Sequence, residues 1–172
     1  MAILGVDPGS VATGWAVVAG TPERPQVLAC GVIKTQARKP FGERLATIQD
    51  RFVEILGEHR PALAAVESPF HGASARSALQ LAHARGVILA ALSKAGIVTA
   101  EYSPASVKKT VAGNGRATKE QVAYMVERIA GIRSASHDLT DAVAVALCHQ
   151  THHRLARTIF RQVPVAEKST PR

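Results

Sequence analysis

Residues 3–14 read ILGVDPGSVATG: an apolar run ends in one acid, Asp7, and Pro8 and Gly9 break the chain into a turn. Uninterrupted Ile3, Leu4, Gly5 and Val6 suit a strand covered on both faces, and the Pro-Gly pair fixes φ and permits a tight reversal. Asp7 would then stand on the rim of a buried sheet. Turn chemistry alone also accounts for an Asp here, because its side chain caps the backbone that follows. The two readings separate only when the rest of the chain is considered.

Downstream, Gly14–Ala19 (GWAVVA) and Gln26–Thr35 (QVLACGVIKT) are short apolar segments on either side of TPERP, residues 21–25. Together with the opening run they predict three consecutive antiparallel strands. Phe41, Leu45, Ile48, Phe52 and Ile55 then recur at spacings of three and four, with Arg44, Asp50, Glu54 and Glu58 between them. This is the pattern of an amphipathic helix, expected to end at Gly57 and Pro61. Ala62–Val66 (ALAAV) repeats the grammar of the first strand, since it too ends in an acid, Glu67, followed by Pro69. A strand reached through a helix pairs naturally in parallel, so two strand-end carboxylates come side by side if the strands are neighbours.

From Ser74 to Ala95 the apolar and small residues wrap more than one helical face. Such a helix needs two partners: the sheet and a second subunit, or the interior of one domain on all sides. Residues 97–102 predict a fifth strand, and Ser103-Pro104 a helix start with a hydroxyl N-cap. Thr118 and Gln121 form a capping box opening the next helix. Between them KKTVAGNGRATK carries Lys108, Lys109, Arg116 and Lys119 around a glycine turn. The last helix starts near Ser136, and Asp138 and Asp141, three residues apart, share one of its faces.

The 172 residues suffice for one domain with its own core, expected over 1–156, with a basic, mobile tail over 157–172. Cys30 and Cys148 lie in apolar segments outside any metal-ligand spacing, as reduced core residues of a cytoplasmic protein would. The N-terminus lacks a secretory pattern, and no apolar run is long enough to cross a bilayer. Lys and Arg outnumber Asp and Glu by 21 to 13, giving a net charge of +8 that favours a polyanion, nucleic acid first. At 4% aromatics an extended base-stacking platform is excluded.

Asp7, Glu67, Asp138 and Asp141 each sit where an element meets a polar end. Brought together without cations they would repel strongly, so their combination points to hard divalent ions, Mg²⁺ or Mn²⁺. Two such ions about 3.5–4 Å apart activate water and stabilise a leaving oxygen in phosphodiester cleavage. A basic protein with that site would be a nuclease.

DPGSxxTGW at 7–15, AVESPF around Glu67, SALQLAHARG, VKKTVAGNGRATKEQV from Val107 and HDLTDAVAVA together resemble the RuvC-type Holliday-junction resolvases, in order over residues 1–150. The resemblance implies an RNase H-like fold: a mixed five-stranded sheet, its first three strands antiparallel, with helices on both faces. It implies a homodimer, here through the helix from Ser74 to Ala95, that cuts two symmetry-related strands of a four-way DNA junction. Recombination and repair are the implied setting, with a branch-migration helicase complex as partner. Two Mg²⁺ per site are implied, with Mn²⁺ as substitute, on Asp7, Glu67, Asp138 and Asp141. Phe70 matches the family's base-stacking aromatic, and Lys108 and Lys119 match basic positions near the site. Arg116 and Arg76 join them as DNA-binding candidates.

The chain departs from the family pattern in two places. Ser68-Pro69 stands where many members have Gln, which re-aims the loop bearing Phe70. Some members have His at the position of Asp138, and here His137 is its neighbour and an auxiliary candidate; the i, i+3 spacing to Asp141 favours Asp138. His149, His152 and His153 are expected to be surface residues at the end of the last helix. Two other functions fit parts of the sequence: a DNA-binding module without catalysis, and an actin-like or hexokinase-like ATPase. The first gains nothing from four acids beside phosphates, and the second needs two such domains.

Overall fold

A computed structural model describes residues 1–68, 74–133 and 136–162, with side chains through 154 in the last helix. Five strands, β1 (Ile3–Asp7), β2 (Ala12–Thr21), β3 (Arg24–Lys34), β4 (Leu63–Glu67) and β5 (Val98–Tyr102), form one sheet in the order β3-β2-β1-β4-β5. β1, β2 and β3 are antiparallel neighbours, whereas β4 runs parallel to both β1 and β5. The expected mixed sheet is therefore present. β2 and β3 run further than the apolar pattern indicates and leave only Pro22 and Glu23 at the turn, with Thr21 paired to Arg24.

Helices α1 (Phe41–His59) and α2 (Ala75–Lys94) cover one face of the sheet; α3 (Pro104–Ala112), α4 (Lys119–Ala130) and α5 (His137–Gln162) cover the other. Strand alternation divides the core accordingly. Leu4, Val6, Val17 and Val66 pack with Ile48 and Phe52 of α1 and Ile88 and Leu92 of α2. Ile3, Ala16, Val18 and Ala65 pack with Val107, Val122 and the run 142–148 of α5. β1 is thus buried on both faces, as its uninterrupted apolar run requires.

Helix ends follow local chemistry. Ser103 accepts a hydrogen bond from the Ser106 N–H at 3.2 Å with Pro104 in the first turn, and both halves of the Thr118–Gln121 capping box are made. Gly57 does not end α1. The helix continues to His59 and stops at Arg60, held at φ 43° with its N–H on the Leu56 carbonyl at 3.0 Å. Pro61 supplies the reason, because the residue before a proline is excluded from the helical region.

Three other expectations change. α2 buries only Ala84, Ile88, Ala91 and Leu92; Ala78, Leu79, Ala82, His83, Gly86 and Ala90 are exposed, so the helix is not enclosed within the domain. α5 continues to Gln162, past the boundary expected at 156. That places residues 149–153 in mid-helix, and His149 is buried, with Nδ1 2.9 Å from the Tyr102 hydroxyl. Cys148 is buried and Cys30 half-buried, both free. Among the described residues no helix is long and apolar enough to cross a membrane.

Candidate active site

Asp7 closes β1 and Glu67 closes β4, and the parallel register pairs Val6 with Val66 immediately before them. The two carboxylates therefore leave neighbouring strands at the same edge of the sheet. Ile3, Gly5 and Asp7 alternate toward α5, and Gly5 and Gly14 let that helix approach to backbone contact. A Cβ at Gly5 would stand 2.3 Å from the Ala142 carbonyl oxygen, and one at Gly14 would stand 1.9 Å from that of Asp138. Small residues are thus what brings the first turns of α5, with its two acids, down onto the strand ends. Gly14 is also the cross-strand partner of Asp7, so one position touches both halves of the site.

A cavity of about 230 Å³ opens at this edge, lined by Asp7, Glu67 and Asp141, by Lys108 of α3 and Lys119 of α4, and by apolar Pro104, Val107 and Val122. Three of the four expected acids meet there, with both expected lysines. Lys119 Nζ lies 3.2 Å from Asp141 Oδ2. Asp138, in the first turn of α5, does not line the cavity, although its charge acts on Lys119. His137 is exposed, and its charge acts on Glu120 instead.

Burial pushes the Asp7 carboxyl up from 3.8 to about 8, helped by the charges of Glu67 and Asp141 and by a hydrogen bond to Glu67, against the opposing pull of Lys119. Glu67 is raised too, by burial first and then by Asp141; its hydrogen bond with Asp7 and the two lysines work the other way. Desolvation lowers the Lys119 ammonium, but Asp141, Asp7 and Asp138 together outweigh it and raise the group overall. Burial and repulsion thus favour a proton on the Asp7–Glu67 pair.

Among the described residues the donors lining the cavity are carboxylate oxygens, with neither Cys nor His, a set that suits Mg²⁺ or Mn²⁺. Among the described residues no three such groups converge on a single ligating point as they stand. The Lys119–Asp141 contact occupies one of the oxygens. A divalent ion would fit in place of that proton and of this ammonium, which between them offset only part of the cluster's negative charge.

The other sequence candidates lie apart. Arg116 and Arg76 are exposed and do not line the cavity. Phe70 lies outside the described residues. Sequence reasoning missed two contributors. Gly14 enters the sequence reading only as the start of the second apolar segment and as part of DPGSxxTGW, with no sign of its approach to α5. Arg44 was read as part of a polar helix face, yet it is 6% exposed and bound to the turn after Asp7. No sequence signal marks Arg44: it stands one turn into α1 on the flank of the stripe through Ile48 and Phe52, where a charged residue reads as solvent-facing.

A family model described as crossover junction endodeoxyribonuclease RuvC matches residues 3–149. Proteins of that name from Halorhodospira halophila and Anaeromyxobacter are 45% and 43% identical to the chain, over 90% and 96% of it and 92% and 82% of themselves. The structure of Thermus thermophilus RuvC with Holliday junction substrate superposes with a TM-score of 0.84 at 36% identity, covering 91% of this chain and 96% of that one. A yeast mitochondrial Holliday junction resolvase, 12% identical with a TM-score of 0.64, shares the fold. The strand order, the strand-end acids and this match over most of its length place the chain in the RuvC family of crossover junction endodeoxyribonucleases.

Proposed function

We propose that this chain resolves four-way DNA junctions by paired, symmetric, divalent-cation-dependent cleavage of phosphodiester bonds, in recombination and repair. The observation that carries the reading is the convergence of Asp7, Glu67 and Asp141 on one cavity flanked by Lys108 and Lys119. Asp7, Glu67, Asp141 and, from the adjoining turn, Asp138 would hold two Mg²⁺, with Mn²⁺ as substitute. Bound there, the ions would supply an activated water and charge stabilisation at the leaving oxygen. Burial and mutual repulsion raise the Asp7 and Glu67 carboxyls, so a cation would take the place of a proton there. Lys108 and Lys119, which line the same cavity, would hold the phosphate of the strand being cut. Phe70, Arg116 and Arg76 extend the DNA surface, and His137 is an auxiliary at the start of α5.

Paired incision calls for two copies of the site, and the exposed small-residue face of α2, with Leu79 at 61% exposure, suits a homodimer. A branch-migration helicase complex would present the junction, in the cytoplasm. Residues 1–156 are read as the nuclease domain and the basic segment 157–172 as its tail, the part up to Gln162 continuing α5.

The decisive experiment compares a mobile four-way junction with a matched linear duplex across a metal series. Symmetric nicks on the junction alone, dependent on Mg²⁺ or Mn²⁺, are expected. Cleavage that survives full chelation, or equal cutting of linear duplex, would overturn the reading.

A further inference from the structure

We infer that Arg44 is a positioning residue for the active site, acting through Ser10 on the turn that leaves Asp7. Arg44 is almost fully buried, and among the described residues no carboxylate lies within ion-pair distance of it. Its polar partners are Ser10 and Thr35. The Nε–H donates to the Ser10 carbonyl at 3.2 Å and to Thr35 Oγ1 at 3.3 Å; Nη2 donates to the same carbonyl at 2.6 Å and to Ser10 Oγ at 3.0 Å. The Thr35 hydroxyl donates to the Ser10 carbonyl as well, at 2.8 Å, and the Thr35 N–H to the Val11 carbonyl at 2.9 Å. The ring of Phe41 supports the guanidinium, 5.5 Å from its centroid.

On the other side, fully buried Thr13 accepts from the Gly9 N–H at 3.2 Å and donates to the Gly9 carbonyl at 2.8 Å. The carbonyls of Gly9, Ser10 and Val11 are therefore all fixed, the latter two by α1 and the end of β3. This degree of constraint exceeds what chain reversal needs. A guanidinium held only by neutral acceptors is costly to bury, and an apolar side chain would serve the core as well. What it provides is geometric: a planar fork with several donors fixes one carbonyl in direction as well as distance. β1 last pairs with β4 at Val6 and with β2 at Asp7, so the Asp7 carboxylate depends on how Pro8, Gly9 and Ser10 leave the strand. Arg44 touches neither substrate nor ion, and its role rests on the reading above that Asp7 holds a divalent cation.

The test uses the full chain with Arg44→Met and Arg44→Lys, reading Mn²⁺ affinity by the electron spin resonance of the free ion. Junction binding in chelator and cleavage are read alongside. Arg44→Met is expected to bind junction within about twofold of the parent while losing about 10- to 100-fold in Mn²⁺ affinity or turnover, as removal of an outer support of a metal ligand does. Arg44→Lys, with a point charge in place of the fork, should fall between, and millimolar guanidinium should partly rescue Arg44→Met. If Arg44→Met fails to fold, Thr35→Val takes its place; it removes the shared hydroxyl at constant shape and should shift Mn²⁺ affinity the same way by less. A folded variant with lowered Tm but Mn²⁺ affinity and turnover within twofold of the parent would show a merely structural arginine and overturn the inference. A parent that binds no Mn²⁺ would refute the metal reading itself, which separates the two failures.

Discussion

Gly14→Ala is expected to damage the active site far more than the fold. The new Cβ would lie 1.9 Å from the Asp138 carbonyl oxygen, 2.6 Å from its carbonyl carbon and 3.3 Å from the Ala142 Cβ. Cβ contacts below 3.0 Å essentially do not occur, so the oxygen must retreat by at least the difference from 1.9 Å, which is 1.1 Å. Gly14 cannot yield, because β2 is paired to Asp7 on one side and to Val32 on the other. The first turn of α5 must lift instead, carrying Asp138 and Asp141 away from Asp7 and Glu67. Overpacking of this kind costs about 1–3 kcal/mol of stability. A misplacement of about 1 Å at a reacting centre costs roughly 100-fold in rate, or about 2.7 kcal/mol of barrier. Single-turnover junction cleavage against Mg²⁺ concentration, with junction affinity in chelator and Tm, would measure each part. Gly31→Ala is the control, since its Cβ would press on the Trp15 side chain at 3.0 Å and leave α5 alone. The expected outcome is a large loss of rate and weaker metal dependence in Gly14→Ala only, with junction affinity preserved. A folded Gly14→Ala variant with parental rate and metal dependence would refute the steric argument.

Asp7→Asn should abolish cleavage, preserve junction binding, and remove most of the pH dependence of stability of the metal-free protein. An acid whose folded pKa is raised to about 8 from 3.8 binds its proton more tightly when folded, so the parent loses stability as pH rises between those values, by at most about 6 kcal/mol. Asn carries no such charge, so the variant should equal the parent near pH 4 and exceed it at pH 9 in thermal melts with chelator; a parent no less stable at pH 9 contradicts this. Mn²⁺ should raise the Tm of the parent and leave that of the variant nearly unchanged. On the exposed face of α2, Leu79→Lys with Ala82→Glu should shift sedimentation from dimer toward monomer while metal affinity holds; an unchanged dimer would place the interface elsewhere.

The fold was legible because its determinants are local and periodic. β1 and β4 are short apolar runs that end in an acid, and their equivalence announces parallel neighbours before any contact is known. Caps at Ser103 and Thr118 are written in three or four residues. The acid set was legible for the same reason, since each carboxylate sits at the end of a recognisable element. Arg44 was illegible because its partners are 34 residues away in the turn and 9 away at the end of β3, and nothing in the helical period says that a charged residue on the stripe's flank will be buried. His149 differs from its sequence reading because α5 runs on past it to Gln162 and its burial depends on Tyr102, 47 residues away in the chain.

By itself the sequence determined the order of strands and helices and the family, and it named the four acids and the basic residues as candidates. It did so because periodicity, turn chemistry and strand-end acids are properties of neighbouring residues. Only the tertiary structure decided that Asp7, Glu67 and Asp141 share a cavity while Asp138 stands beside it, and that Lys119 already pairs with Asp141. Only it showed that α5 rests on Gly5 and Gly14 at backbone contact. These are distances between elements far apart in the chain, set by how closely two backbones approach, and helical or strand periodicity carries no measure of that approach.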